Sequence, residues 1–186
     1  MEKIWSYIFT EGLQIDPSDY SLVVSEPIYN PKENRKRFIE YMFEAFNFSD
    51  LLIEISPYLA MMSAGKFSTY VIEIGEGLTQ MASFIDDKCI PFKAERMDLG
   101  GVDSTEYMKN LLNNSGILSS TNADKYIFKG IKEKSCYVAL DFKQEKNIFE
   151  SYTYELSDKS TLDIKSQRFE CQEILYRPNL FGLDEE

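Results

Sequence analysis

The chain is organised around one short stretch, which reads Tyr70-Val71-Ile72-Glu73-Ile74-Gly75-Glu76-Gly77-Leu78-Thr79-Gln80. The β-branched residues before the glycines predict a strand, the glycines predict a tight turn, and Leu78-Thr79 begins a second strand. The tip of such a hairpin can bind an anion, because backbone N–H groups converge where no Cβ intervenes. The flanking carboxylates Glu73 and Glu76 could hold a metal counter-ion. By itself the motif is more often a plain turn, since no helix follows it directly as a P-loop requires.

The composition is that of an acidic globular protein. The 186 residues carry 31 acidic and 20 basic side chains, a formal net charge of −11, and 44% of them are hydrophobic. This is enough for a core in one domain or two small lobes. A nucleic-acid backbone would be repelled by the negative charge, so nucleic-acid binding is disfavoured. The sequence has no histidine. This excludes catalytic Ser-His pairs and most kinds of zinc site, so any acid–base chemistry would depend on carboxylates.

The cysteines indicate the redox state of the cellular compartment, and the most apolar run indicates whether the chain spans a membrane. Cys89, Cys136 and Cys171 are far apart and form no C-x-x-C pair, which we interpret as the pattern of a reducing cytosolic compartment. The most apolar run, residues 51–62, contains a glutamate, a serine and a proline. It falls well short of the roughly 20 apolar residues that a spanning helix needs, so we expect no membrane segment.

Hydrophobic spacing predicts alternating helices and strands in the first half of the chain. The predicted helices cover residues 2–10, 31–46 and 57–63. The predicted strands cover residues 20–24, 51–55, 70–74, 78–85 and 92–97. Asn30 is the expected N-cap of the second helix, and Pro31 is its expected first residue.

The second half begins with a glycine pair, Gly100-Gly101, before a helix that Asp103 or Ser104 can cap. Strands are predicted at residues 137–140, 152–156 and 161–164, with a brief helix at 172–176.

A second helix is expected after a capping box at residues 121–124. It carries Lys129, Lys132 and Glu133 on one face at i, i+3 and i+4, away from its apolar side. That polar face has two readings, a solvated ladder of ion pairs or a functional surface.

Several stretches carry more information than their hydrophobic pattern. They are Met1-Glu2-Lys3-Ile4-Trp5, Asn30-Pro31-Lys32, residues 42–47, Gly75-Glu76-Gly77, Asp98-Leu99-Gly100-Gly101, residues 131–142, Arg168-Phe169-Glu170-Cys171 and Pro178. Together they resemble the actin family, most specifically in residues 131–142. The resemblance covers essentially all of this chain and about half of an actin. It implies an α/β class, as a partial actin-like (ribonuclease-H-like/actin ATPase) fold with an α-helical subdomain-4-like unit.

The resemblance also implies a division into three segments. Residues 1–63 correspond to part of the outer lobe (subdomain 1-like), residues 64–99 to part of the inner lobe with the second phosphate loop, and residues 100–186 to the subdomain-4-like unit. The family's first phosphate loop, its small outer subdomain and its C-terminal part have no counterpart in this sequence.

ATP and Mg²⁺ are the ligands that the resemblance implies. The positions that match the family's nucleotide contacts are Gly75, Glu76, Gly77, Leu78, Gly101, Lys129, Lys132 and Glu133. Glu73 matches the position on the metal side. Glu73 and Glu76 stand where the family has aspartates, so an added methylene displaces each carboxylate by about 1.5 Å. We expect ATP binding to be weak or lost.

We expect poor or no hydrolysis, and no residue is assigned a catalytic role. Ser56 stands where the family has the glutamine that orients the attacking water, and Gln80 stands where it has the assisting histidine. A short hydroxyl cannot replace the reach of the longer amide. The sequence therefore favours a protein that is not an enzyme.

Two classes of function stay open at this point. The first is an actin-like cytoskeletal protein with a partial ATP-binding site. The second is a degenerate, truncated actin-like interaction module, or a truncated gene model, that binds without nucleotide. Both predict actin or actin-like subunits and actin-binding proteins as partners, and both predict a cytoplasmic location at the cytoskeleton.

Overall fold

The computed structural model describes residues 2–116 and 124–182. The α-helices are α1 (Glu2–Tyr7), α2 (Lys32–Glu44), α3 (Ser56–Ser63), α4 (Gly101–Asn114), α5 (Asp124–Ser135), α6 (Phe142–Ile148) and α7 (Gln167–Glu170). The strands are β1 (Ser21–Glu26), β2 (Asp50–Ile55), β3 (Thr69–Ile74), β4 (Thr79–Ile85), β5 (Lys88–Cys89), β6 (Glu95–Met97), β7 (Tyr152–Glu155) and β8 (Thr161–Ile164). This mixture of helices and strands confirms the α/β class.

The chain forms two compact units. The first unit is made of residues 1–73 and 80–96, and the second of residues 74–79 and 97–186, in their described parts. The division at residues 63 and 99 refers to the family's subdomains and stays a prediction.

The first unit contains a β-α-β element. Strands β1 and β2 run parallel, with Ser21 opposite Asp50 and Glu26 opposite Ile55. Helix α2 is the crossover that a parallel pair requires. Its Met42 is fully buried in a cluster with Phe9 and Phe48, so one face of this helix packs against a core.

The start of α2 differs from the prediction. Pro31, rather than Asn30, occupies the N-cap position. The side chain of Asn30 donates instead to Glu26 Oε2 at 2.8 Å, and the same carboxylate pairs with Arg35. A carboxylate as buried as that of Glu26 needs such partners, and this need outweighs the capping preference of Asn30.

The predicted hairpin is the centre of a second sheet. Strand β3 pairs with β4, and β4 also pairs with β5 and β6. Helix α3 contributes Met61 to the core of this part, together with the buried side chains Ile28, Ala82, Phe84 and Ala94. The predicted strand 92–97 is only partly right, because residues 91–93 form a 3₁₀ turn that begins at Pro91. Proline suits the first position of a helical turn.

The second unit packs α4 and α5 over an antiparallel hairpin of β7 and β8. Its core is formed by the fully buried side chains Met108, Leu112, Phe128, Ile131, Ile164 and Cys171. The predicted strands 152–156 and 161–164 are confirmed within one residue. The predicted brief helix at 172–176 is a 3₁₀ turn at Glu173–Leu175.

Residues 137–140 form no strand, because no described strand lies beside them to pair with, and Leu140 is fully exposed. Helix α6 was not predicted, although Asp141 caps it by accepting from the N–H groups of Lys143 and Gln144. The predicted capping box at residues 121–124 lies outside the described residues except for Asp124, where α5 begins.

None of the helices within residues 2–116 and 124–182 is both long enough and apolar enough to cross a lipid bilayer.

Candidate functional site

The glycine loop between β3 and β4 is bonded to the N-terminus of α4. Gly75 N donates to Leu78 O at 2.9 Å and closes the turn. Gly101 N donates to Gly75 O at 2.9 Å. Val102 N donates to Glu76 O at 2.7 Å. The first N–H groups of a helix have no partner inside the helix, so the loop carbonyls satisfy them and the loop is held in one position.

The glycine pair at the start of α4 allows this close approach. A Cβ built on Gly100 would lie 2.7 Å from Glu76 O and 2.8 Å from Gly75 O. A Cβ built on Gly101 would lie 2.9 Å from Glu76 Oε2 and 3.3 Å from Lys132 Nζ. At Gly100 the close atoms belong to the backbone, so that position requires glycine, whereas at Gly101 they are the ends of flexible side chains that can move aside.

Helix α5 brings one ammonium group to this loop and another to the start of α4. Lys129 Nζ lies 3.4 Å from Glu76 Oε1 and 3.9 Å from Glu133 Oε1. Lys132 donates from its ammonium group to Gly101 O. Because Lys129 and Glu76 are both largely exposed, their ion pair contributes at most about 1 kcal/mol. Glu76 therefore holds the ammonium group of Lys129 only weakly.

The tip of the loop offers a further donor. Gly77 is exposed, and nothing in the described parts of the chain accepts a hydrogen bond from its N–H. An exposed N–H group on a glycine-bracketed turn is suited to a phosphate oxygen. The residues that the resemblance assigned to nucleotide contacts thus lie together in the second unit, except that Glu133 reaches the loop only through Lys129.

A second group of predicted residues meets in the first unit. Ser56 Oγ donates to Glu73 Oε2 at 2.8 Å. Gln80 Nε2 lies 2.7 Å from the same carboxylate oxygen and 2.6 Å from Ser56 Oγ. Gln80 Oε1 accepts from Ile28 N at 2.9 Å. Both ends of the Gln80 amide are therefore engaged.

This network joins β3, β4, the first turn of α3 and the loop after β1. Gln80 is only 4% exposed, so its hydrogen bonds are shielded from water. Sequence reasoning took Ser56 and Gln80 as degenerate positions and missed that they bond to each other and to Glu73. The alternation of β3 offered a signal, because it places Glu73 on the same inward face as Val71.

The structure also bears on the predicted metal position. Glu73 Oε2 already accepts two hydrogen bonds from neutral donors. Within residues 2–116 and 124–182, no three acidic or cysteine side chains converge closely enough to hold a metal ion. The residues present therefore do not fit a Mg²⁺ site built by the protein alone.

A comparison with known protein families identifies the family of this chain. The family model described as Actin matches residues 1–186. The chain belongs to the actin family. The resemblance drawn from the sequence motifs is thereby confirmed, and so is the partial actin-like α/β fold.

A curated relative gives the extent of the match. This actin-family chain is 32% identical over 189 aligned residues to Actin-related protein 2 of Arabidopsis thaliana. The alignment covers 99% of this chain and 49% of that protein. The chain therefore spans about half the length of the relative it matches.

Proposed function

We propose that this chain is an actin-like cytoskeletal protein whose second unit binds the phosphates of ATP weakly, without hydrolysing them. One observation carries the proposal. The loop of residues 75–78 is bonded to the N-terminus of α4. The ammonium group of Lys129 lies at the loop, and that of Lys132 lies at Gly101, the first residue of α4. Membership of the actin family supports ATP as the nucleotide.

Five residues of the site have a stated part in the proposal. The Gly77 N–H donates to a phosphate oxygen, and Lys129 and Lys132 neutralise phosphate charge. Gly101 leaves room on the ribose side, and the exposed Glu133 carboxylate accepts from a ribose hydroxyl, as the resemblance implies. Charge-assisted hydrogen bonds contribute about 1.5–3 kcal/mol each. After the cost of association, we expect a dissociation constant weaker than about 1 μM.

Mg²⁺ enters the proposal only together with the nucleotide. The ion usually keeps several waters and binds through phosphates and one or two carboxylates. In this proposal the phosphates of ATP and water supply the ligands of the ion.

The test is calorimetric titration of the chain with ATP. We expect the paired substitution Lys129→Ala and Lys132→Ala to weaken binding by at least about 10-fold. The double variant Lys125→Ala and Lys134→Ala is the matched control, because both lysines lie exposed on the same helix and their loss removes the same two positive charges. Equal binding by the double variant and the unmodified chain would overturn the proposal, as would no ATP binding at millimolar concentration.

A second candidate function is an interaction module that works without nucleotide. Among the described strands β3 pairs only with β4, and on its outer face Tyr70 is 52% and Ile72 57% exposed. An edge strand with an exposed apolar face is a template for another chain. Family membership supports actin, actin-like subunits or actin-binding proteins as partners, in the cytoplasm at the cytoskeleton.

Co-sedimentation with actin filaments tests this candidate. Tyr70→Lys places a charge on the outer face of β3 and is expected to reduce the sedimented fraction. Tyr126→Lys is the control, since it makes the same change at a tyrosine that is 84% exposed on α5. Sedimentation that is equal for the unmodified chain and both variants would exclude the β3 face as the binding surface.

A further inference from the structure

Two cysteines that are distant in sequence meet in the second unit. Cys136 directly follows α5, and Cys171 directly follows α7. They are 35 positions apart, yet their Sγ atoms lie 3.3 Å from each other. Both are free thiols, and neither takes part in the candidate nucleotide site.

The two thiols differ in access and in acidity. Cys171 is fully buried in the core of the unit, whereas Cys136 is half-buried at its margin. The hydrogen bond from Cys171 lowers the pKa of Cys136, against the opposing effect of burial, and Arg168 and Lys132 add a smaller lowering. The same hydrogen bond, together with burial, raises the pKa of Cys171. Cys136 is therefore the more acidic and the more accessible of the two thiols, and it is the one that meets an oxidant first.

We propose that Cys136 and Cys171 form an oxidative modification site, at which a peroxide converts the two thiols into a reversible intramolecular disulfide. In the first step the Cys136 thiolate attacks one oxygen of hydrogen peroxide, the O–O bond breaks, and hydroxide leaves. In the second step Cys171 sulfur attacks the sulfur of the Cys136 sulfenic acid, the S–O bond breaks, and water leaves. Altogether the thiols lose two electrons and the peroxide becomes two waters.

The surroundings favour this second step. A disulfide needs its sulfur atoms at about 2.05 Å, so the two sulfurs must approach by little more than 1 Å. The elements that carry them are already joined, because Arg168 Nε donates to Ser135 O at 2.8 Å. The bridge adds a covalent link between the end of α5 and the end of α7. Closing this loop restricts the unfolded chain, so the oxidised protein is the more stable form.

Peroxide treatment of the purified full chain tests the proposal. Proteolysis and mass spectrometry without reductant are expected to yield one peptide pair that joins Cys136 to Cys171, lighter by two hydrogens and separated again by dithiothreitol. The melting temperature is expected to rise by at least about 5 °C on oxidation. Cys89→Ser is the control and retains both results, since Cys89 lies in the first unit and its pKa is raised by burial.

Two further variants complete the experiment. Cys136→Ala and Cys171→Ala are each expected to abolish the bridged peptide and the rise in melting temperature. If Cys171→Ala does not fold, the bridged peptide from the unmodified chain still decides the question. Peroxide that yields only sulfinic or sulfonic acid, or a bridge that contains Cys89, would overturn the proposal. Neither readout involves nucleotide, so the result is independent of the proposed function.

Discussion

Gln80 Nε2 donates a 2.7 Å hydrogen bond to Glu73 Oε2, across the two strands of the central hairpin. The position that the resemblance gives to an assisting histidine therefore holds the carboxylate that the resemblance assigns to the metal side. Ser56 donates to the same oxygen. Side chains engaged in this way stabilise the first unit, and their role in the fold can be tested separately from any role toward nucleotide.

We expect Gln80→Leu to lower the free energy of unfolding of the first unit by about 1–3 kcal/mol, because it leaves the Ile28 N–H and Glu73 without their buried partner. Denaturant unfolding followed by the fluorescence of Trp5, the only tryptophan of the chain and part of this unit, measures the change. Ser56→Ala removes a single hydroxyl and is expected to cost less. An unchanged midpoint for Gln80→Leu would show that the network adds nothing to stability.

We expect no phosphate release above background from the unmodified chain at saturating ATP. Ser56 and Gln80 are committed to hydrogen bonds within the first unit, and loss of a group that positions water or transfers a proton typically costs about 10²- to 10⁴-fold in rate. Ser56→Gln is the companion variant in the same phosphate assay. Turnover by the unmodified chain that disappears on Glu73→Ala would contradict the prediction.

Gly100→Ala is expected to destabilise the second unit by about 1–3 kcal/mol, because the new Cβ would overlap the backbone of the glycine loop. The site of overlap is Glu76 O, at 2.7 Å. Thermal unfolding monitored by circular dichroism gives the effect. Gly77→Ala is the matched control, since nothing lies within 4 Å of a Cβ at that position. Similar melting temperatures for the two variants would argue against close packing of loop and helix.

The stability of the folded chain is expected to fall at alkaline pH because of Tyr137. Burial, followed by the hydrogen bond to Glu145, raises the pKa of Tyr137 to about 12 from an ordinary value of 10.0. Because the folded pKa is the higher one, the contribution to stability is complete below about pH 10 and is lost as the pH rises toward about 12.

The measurement is the melting temperature at a series of pH values between about 9 and about 12 at which unfolding is reversible. Tyr137→Phe is expected to lose less stability over this range than the unmodified chain. Tyr126→Phe, at an exposed ring, serves as the control and should follow the unmodified chain. Parallel curves for all three proteins would show that Tyr137 does not contribute.

Much of the fold follows from local patterns in the sequence. The period-two alternation around the glycines predicts β3 and β4, and the spacing of apolar residues predicts α2. Lys129 and Lys132 are assigned to one face of α5 by spacing alone, and the motifs identify the actin family. Each of these inferences needs only residues that are close in sequence, because the period of a helix or strand is a property of its own backbone.

Contacts between residues that are distant in sequence are visible only in the folded chain. Residues 137–140 have the composition of a strand but form none, since a strand requires a neighbour for its backbone hydrogen bonds. Asn30 does not cap α2, because its side-chain amide donates instead to the buried carboxylate of Glu26. The bonds of Glu73 to Ser56 and Gln80, and the contact of Cys136 with Cys171, arise only when the packing of each unit brings separate elements together. The sequence determined which groups are present, and the packing determined which of them meet.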